Sequence, residues 1–162
     1  MGKKIVILNG SPRRKGNTAA LAAAFTQGAE HAGHTVTEFF LDGMNIRGCK
    51  GCFGGHSSQT CPCVQRDDMD NIYPAVKACD VLVLASPLYY WNMSAQLRTA
   101  VDRLFALKER DGNLLRGQVR AGALLMAAEG HGFEDVTRYF DHLMEHLGWK
   151  NLGRVLAGGN EN

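Results

Sequence analysis

Residues 4–18 read KIVILNGSPRRKGNT: an unbroken aliphatic run from Lys4 to Asn9, then Gly10, then a polar, cationic turn that closes on Asn17 and Thr18. A continuous β-branched run of this length is what a strand buried on both faces of a parallel sheet requires. Residues 17–32 follow at helical spacing, with Leu21, Ala24, Phe25 and Gly28 on one face and Gly33 as the stop. A buried strand that passes straight into a helix is the first half of a βαβ unit.

The rest of the chain repeats this alternation. Residues 34–41 (HTVTEFFL) predict a second strand, 70–79 a short helix and 80–86 (DVLVLAS) a third strand. Residues 94–107 predict a helix carrying Leu97, Ala100, Val101, Leu104 and Phe105, and residues 118–127 a fourth strand. Residues 133–147 predict a helix with Phe133, Val136, Phe140, Leu143 and Leu147 in register, closed by Gly148, before a fifth strand over 152–157. The pattern predicts an α/β fold: a flavodoxin-like, three-layer, doubly wound parallel sheet of five strands in the order 2-1-3-4-5, forming a single domain over residues 1–162. A helix covering the fifth strand is expected next, and the sequence supplies none. Either the end is cut short or a partner subunit covers that face.

The 162 residues are 45% hydrophobic and 21% charged, with a net charge of +2, as in a soluble globular protein. That charge is too small to predict a nucleic-acid partner. No apolar run approaches the ~20 residues that would cross a bilayer. The stretch Ile5 to Leu8 is too short for a signal-peptide core. The expectation is a cytoplasmic protein with no membrane association.

The turn after the first strand is built for an anion. It presents Ser11, Arg13, Arg14, Lys15, Gly16, Asn17 and Thr18 at the start of a helix. There unsatisfied N–H groups and the positive helix end coincide. Asn17 can donate an amide or cap the helix. Gly10 and Gly16 are too far apart for a Walker loop, Asn17 stands where its lysine would be, and the dinucleotide pattern G-x-G-x-x-G is absent. What remains suits a monophosphate. A helix end contributes only ~0.3–1 kcal/mol, whereas micromolar affinity needs about 8 kcal/mol. A second, apolar contact area must exist.

Ser86-Pro87-Leu88-Tyr89-Tyr90-Trp91-Asn92-Met93-Ser94 is the candidate for that area. It follows the third strand, which neighbours the first, so both loops flank the topological switch point where open α/β sheets bind ligands. Three adjacent aromatics offer a surface to a flat ring, and the backbone from Leu88 to Ser94 offers N–H groups to its polar edge. The alternative is that Tyr89 or Trp91 packs at a subunit interface.

The turn Gly10-Ser11-Pro12-Arg13 through Gly16-Asn17-Thr18, the loop Ser86-Pro87-Leu88-Tyr89 with Ser94, the later Asp102-Arg103, and the middle segments Gly48-Cys49-Lys50-Gly51-Cys52 and Asp67-Asp68-Met69 together resemble the flavodoxin-like NAD(P)H-dependent FMN reductases, including the iron–sulfur flavoproteins. The resemblance runs to about Gly158. It implies FMN with its phosphate at Ser11, Arg13, Asn17 and Thr18, and Pro87, Leu88, Tyr89, Asn92 and Ser94 near the ring. It places Ala128, Glu129 and Gly130 in a third wall, and His131 beside them is a candidate substrate contact. It implies an oxidoreductase that carries electrons from NAD(P)H to a quinone, flavin or other small acceptor, as a homodimer or homotetramer, with no catalytic side chain assigned. The alternative function is a non-enzymatic electron carrier, which the positive net charge fits poorly.

Cys49, Cys52, Cys61 and Cys63 fall in one loop, and Cys79 stands apart as a core residue. Four such thiols could hold zinc or a [4Fe–4S] cluster. The third cysteine of the iron–sulfur flavoprotein motif is here Gly55, so ordinary or redox-sensitive thiols are the favoured reading, with the cluster-bearing protein as an alternative. Asp102 and Arg103 read as helix anchors, Asp67 and Asp68 as the start of the next helix, and His142 and His146 as an exposed helix face.

Overall fold

A computed structural model describes residues 1–55, 62–109, 115 and 120–159. Five strands, β1 (Lys4–Asn9), β2 (Thr35–Phe40), β3 (Val81–Pro87), β4 (Ala121–Ala127) and β5 (Lys150–Ala157), form one sheet in the order β2-β1-β3-β4-β5. All four pairings are parallel. The predicted topology is therefore the observed one. The predicted fourth strand began at residue 118; residues 118 and 119 lie outside the described ones.

Helices α1 (Asn17–His31), α2 (Met69–Ala78), α3 (Ala95–Arg103), α4 (Phe105–Glu109) and α5 (Glu134–Leu147) cover the two faces unequally. Alternate strand residues explain the split, since successive side chains point to opposite faces. Val6, Leu8, Leu82, Leu84, Leu124 and Met126 pack against α2, α3 and α5 through Ile72, Val76, Leu97, Val136 and Phe140. Ile5, Ile7, Val83, Ala85, Ala123 and Leu125 pack against α1 through Leu21, Ala22 and Phe25.

The predicted helix over 94–107 is two helices that break at Leu104. The backbone N–H of Leu104 is shared between Ala100 O and Val101 O, a tightened turn that redirects the chain. The long middle segment carries a 3-10 turn at Leu41–Gly43 that the sequence reading missed. Gly148, with φ 67°, closes α5 as expected. On β5, Leu152 and Val155 each remain 50% exposed. Among the described residues, no helix is long and apolar enough to cross a membrane.

Candidate functional site

The phosphate turn is held before it reaches any ligand. Gly10 N–H donates to Ala85 O of β3 at 2.8 Å, and Gly10 O accepts from Ser94 Oγ at 2.7 Å. Asn9 Oδ1 accepts Ser11 N–H at 2.9 Å. Ser11 Oγ accepts Arg13 N–H at 3.1 Å and donates to Arg13 O at 3.0 Å. The chain then enters α1 through Gly16, which supplies no side-chain cap, and the first turn of α1 carries no acidic residue. Asn17 therefore lies inside the helix, and the capping role open to it in the sequence is not taken. The consequence is chemical: the leading N–H groups of α1 meet the cleft without a competing side-chain acceptor.

The ring loop leaves β3 at Pro87. Leu88 N–H donates to Ala127 O at 2.8 Å, tying the loop to the end of β4. Tyr89 and Asn92 then exchange both backbone bonds, at 2.9 and 3.1 Å, around two central residues with positive φ, Tyr90 at 47° and Trp91 at 61°. This is the geometry of a type I′ turn, which ordinarily takes Asn-Gly. It presents Tyr90 92% exposed. Ser86 Oγ donates to Pro87 O at 2.7 Å and accepts Ser94 N–H at 2.8 Å. Ser94 Oγ also accepts Leu97 N–H at 3.3 Å, capping α3. Ser94→Ala strips that cap and leaves Gly10 O unpaired in the interior. We expect about 1–3 kcal/mol of lost stability, read from urea unfolding midpoints.

These loops and the end of β4 enclose a cleft of 860 Å³. Ser11, Arg13, Lys15, Gly16, Asn17 and Thr18 line it from the turn; Pro87, Leu88 and Tyr89 line it from the ring loop; Ala128 and Glu129 form the far wall. The predicted Tyr90, Trp91, Asn92, Met93, Ser94 and Gly130 are not in the lining. Met93 and Ser94 are buried beneath the loop, at 3% and 0% exposure. Trp91 stands beside Gly132, where an added Cβ would meet its ring at 3.4 Å. His131 is exposed and outside the lining. The sequence reading placed Asn9 and Ser86 at the two loops but gave them no bracing role, which the structure shows. Their signal was a polar residue closing each otherwise apolar strand.

The cysteine segment is fastened to α3 by a buried ion pair. Arg103, 1% exposed, donates from its two terminal nitrogens to Asp67 at 2.6 and 3.2 Å. It also reaches Arg47 O at 2.8 Å. Burial alone would push the Asp67 carboxyl up. The Arg103 fork and the N–H groups of Arg47 and Met69 outweigh it and hold the group below the ordinary carboxylate value. Asp68 Oδ2 accepts Asn45 N–H at 2.6 Å.

Cys49 and Cys52 are exposed, and Cys63 is half-buried and packed against the main core. Cys61 lies outside the described residues. Cys79 is buried and burial pushes its thiol up to about 11, which marks a packing residue. Among the described residues, no three His, Cys, Asp or Glu side chains converge on a point that could hold a metal.

Residues 3–162 match the family model described as NADPH-dependent FMN reductase. The chain is 32% identical over 156 residues to an iron–sulfur flavoprotein of Archaeoglobus fulgidus, covering 96% of this chain and 69% of that protein. It is 30% identical over 159 residues to an iron–sulfur flavoprotein of Methanosarcina thermophila, covering 98% and 79%. An NAD(P)H:quinone oxidoreductase from Methanothermobacter marburgensis superposes with a TM-score of 0.71 at 19% identity, over 99% of this chain and 87% of that one, a likeness of fold. On these matches the chain belongs to the flavodoxin-like NADPH-dependent FMN reductases: it is a flavoprotein oxidoreductase with FMN as cofactor and NAD(P)H as substrate.

Proposed function

We propose that this protein carries electrons from a nicotinamide dinucleotide, through FMN held in the 860 Å³ cleft, to a quinone or another small acceptor. The observation that carries the reading is the uncapped, acid-free start of α1, opening into that cleft between Arg13 and Lys15. Such an end is a fixed set of donors for a phosphate dianion, and it needs no rearrangement to receive one. The residues fit FMN. Ser11, Arg13, Lys15, Asn17 and Thr18 would hold the phosphate, and Pro87, Leu88 and Tyr89 the ring system.

Bound FMN supplies the redox chemistry, taking a hydride from the nicotinamide and delivering electrons to the acceptor. The chain orients and shields it. Leu88 is tied to Ala127 by its own N–H, so the wall beside the ring is set by the sheet rather than by the ligand. Arg13 and Lys15 place positive charge at the phosphate end, where it neutralises the dianion without requiring proton transfer.

The relatives' iron–sulfur name implies a cluster as well. Among the described residues the cysteines do not gather into a ligand set for one: Cys49 and Cys52 are exposed and Cys63 is half-buried, while Cys61 lies outside the described residues. The proposed electron path is routed through FMN. A homodimer or homotetramer belongs to the same reading, supported by the half-exposed Leu152 and Val155 on β5. A monomer mass by light scattering at micromolar concentration would remove that part.

Titration with FMN is expected to quench flavin fluorescence with one-to-one stoichiometry and micromolar or tighter affinity. Arg13→Ala removes a charge-assisted contact worth about 1.5–3 kcal/mol, so the FMN Kd should rise roughly tenfold or more while riboflavin affinity stays level. The loaded protein should oxidise NADPH or NADH with a quinone or ferricyanide. Flavin uptake without nicotinamide oxidation would instead favour the electron carrier, and no uptake would defeat the cofactor site.

A further inference from the structure

We propose that Glu38 is a positioning residue for the phosphate turn and acts through Asn9. The proposal rests on reading the cleft as the FMN phosphate site. The register of β1 and β2 pairs Ile7 with Glu38 and Asn9 with Phe40. The strand period of two therefore puts Asn9 and Glu38 on one face, a diagonal step apart. Asn9 Nδ2 donates to Glu38 Oε1 at 2.7 Å, and Asn9 Oδ1 accepts Ser11 N–H at 2.9 Å.

The polarity of these bonds is what makes Glu38 informative. An ionised carboxylate can only accept, and a backbone N–H can only donate. A carboxamide lodged between them has one orientation that satisfies both. Asn9 is 1% exposed, so it has little recourse to water if the carboxylate is removed. Glu38 thereby selects the amide face presented to Ser11. Ser11 in turn sets Arg13 through the paired bonds of its hydroxyl. The chain of contacts runs from an exposed side chain on the edge strand to two of the groups lining the cleft.

Charge alone predicts the opposite effect. A carboxylate near the phosphate site repels the dianion, so a variant without it would bind FMN more tightly if Glu38 did nothing else. The positioning role predicts weaker binding. The two consequences differ in sign.

The test uses the full chain with Glu38→Leu, which removes the acceptor, and Glu38→Gln, which removes the charge but keeps an acceptor oxygen. In the flavin-free protein, amide hydrogen exchange by NMR should show Ser11 losing protection about tenfold in Glu38→Leu and keeping it in Glu38→Gln. Gly10 N–H, bonded to Ala85 O, should be unchanged in both and serves as the control for folding. In fluorescence titrations, Glu38→Leu should weaken FMN about tenfold with riboflavin altered less than twofold, and Glu38→Gln, which keeps the acceptor and loses the repelling charge, should bind FMN at least as tightly as the wild type. Unaltered Ser11 exchange, tighter FMN binding by Glu38→Leu, or equal damage from Glu38→Gln would each overturn the proposal. If the wild type takes up no flavin, the cofactor reading fails, and the Ser11 exchange result still decides the relay.

Discussion

Gly10→Ala is expected to lose about 3 kcal/mol of stability and most of the protein's affinity for FMN. A Cβ at this position would lie 2.4 Å from Ser94 Oγ, 2.7 Å from Leu97 Cβ and 3.2 Å from Leu97 N. None of these atoms has free space to retreat into. Ser94 and Leu97 are both at 0% exposure, and Ser94 Oγ is held at 2.7 Å by Gly10 O itself. Overpacking of this kind costs about 1–3 kcal/mol, and breaking the Ser94 bond leaves a buried carbonyl unpaired for about as much again. Urea unfolding monitored by tryptophan fluorescence would measure the first effect, and flavin titration the second. The double variant Gly10→Ala, Ser94→Ala should fall short of the summed single losses, because the first substitution already breaks the bond that the second removes. Stability within 0.5 kcal/mol of wild type in Gly10→Ala would show that the close approach of the two loops is not a constraint.

The size of that expected effect follows from where Gly10 sits. It is the point at which the phosphate turn and the ring loop touch, bonded to Ala85 on one side and Ser94 on the other. A shift there moves both halves of the cleft. This is why a glycine that lacks positive φ is still required: the need is close backbone approach, not a left-handed conformation.

The strands and their order were legible because burial on both faces writes itself into composition. KIVILN and VLVLAS leave no polar face, and only a central parallel strand tolerates that. The contacts that join the loops were not legible. Gly10 and Ser94 are separated by 84 positions, and no local pattern encodes such a meeting. Tyr90 and Trp91 were read as a platform for a ring. Their type I′ turn was invisible because it lacks the Asn-Gly pair that normally announces one. Met93 was grouped with the same loop by adjacency, yet it belongs to the core at 3% exposure. The break at Leu104 was hidden for the opposite reason: Leu97, Ala100, Val101, Leu104 and Phe105 keep helical spacing across it. Asp67 was read as the start of α2, and its Oδ1 does accept Met69 N–H at 3.1 Å. Its larger role, pairing with Arg103 at a separation of 36 positions, needed the fold.

That pair carries the second large expectation. Asp67→Asn should destabilise the protein by about 3–5 kcal/mol at pH 7, because it leaves the Arg103 guanidinium buried without a counter-charge. Both side chains are inside, at 1% and 0% exposure, so solvent cannot screen the loss. Among the described residues Arg103 Nε has no hydrogen-bond partner, and the guanidinium is held by Asp67 and Arg47 O. Arg103→Lys is not a mild change here, since an ammonium cannot reproduce the two-pronged contact. Replacing both partners by Asp67→Leu with Arg103→Met should recover much of the loss, because an apolar pair carries no desolvation cost. The pH dependence has a definite sign. The folded carboxyl titrates below its ordinary value of 3.8, so on acidification the unfolded chain takes up the proton first. The stabilisation is complete above that value and is lost as pH falls through 3.8 toward the folded-state pKa. Asp80, also held low by Lys4 N–H, contributes to the same acid limb in every variant. The gap between wild type and Asp67→Asn should therefore be widest near neutrality and narrow below pH 4, as read from urea midpoints at each pH. A gap that stays constant down to the acid limit would mean that Asp67 holds the loop by shape and hydrogen bonding alone, without its charge.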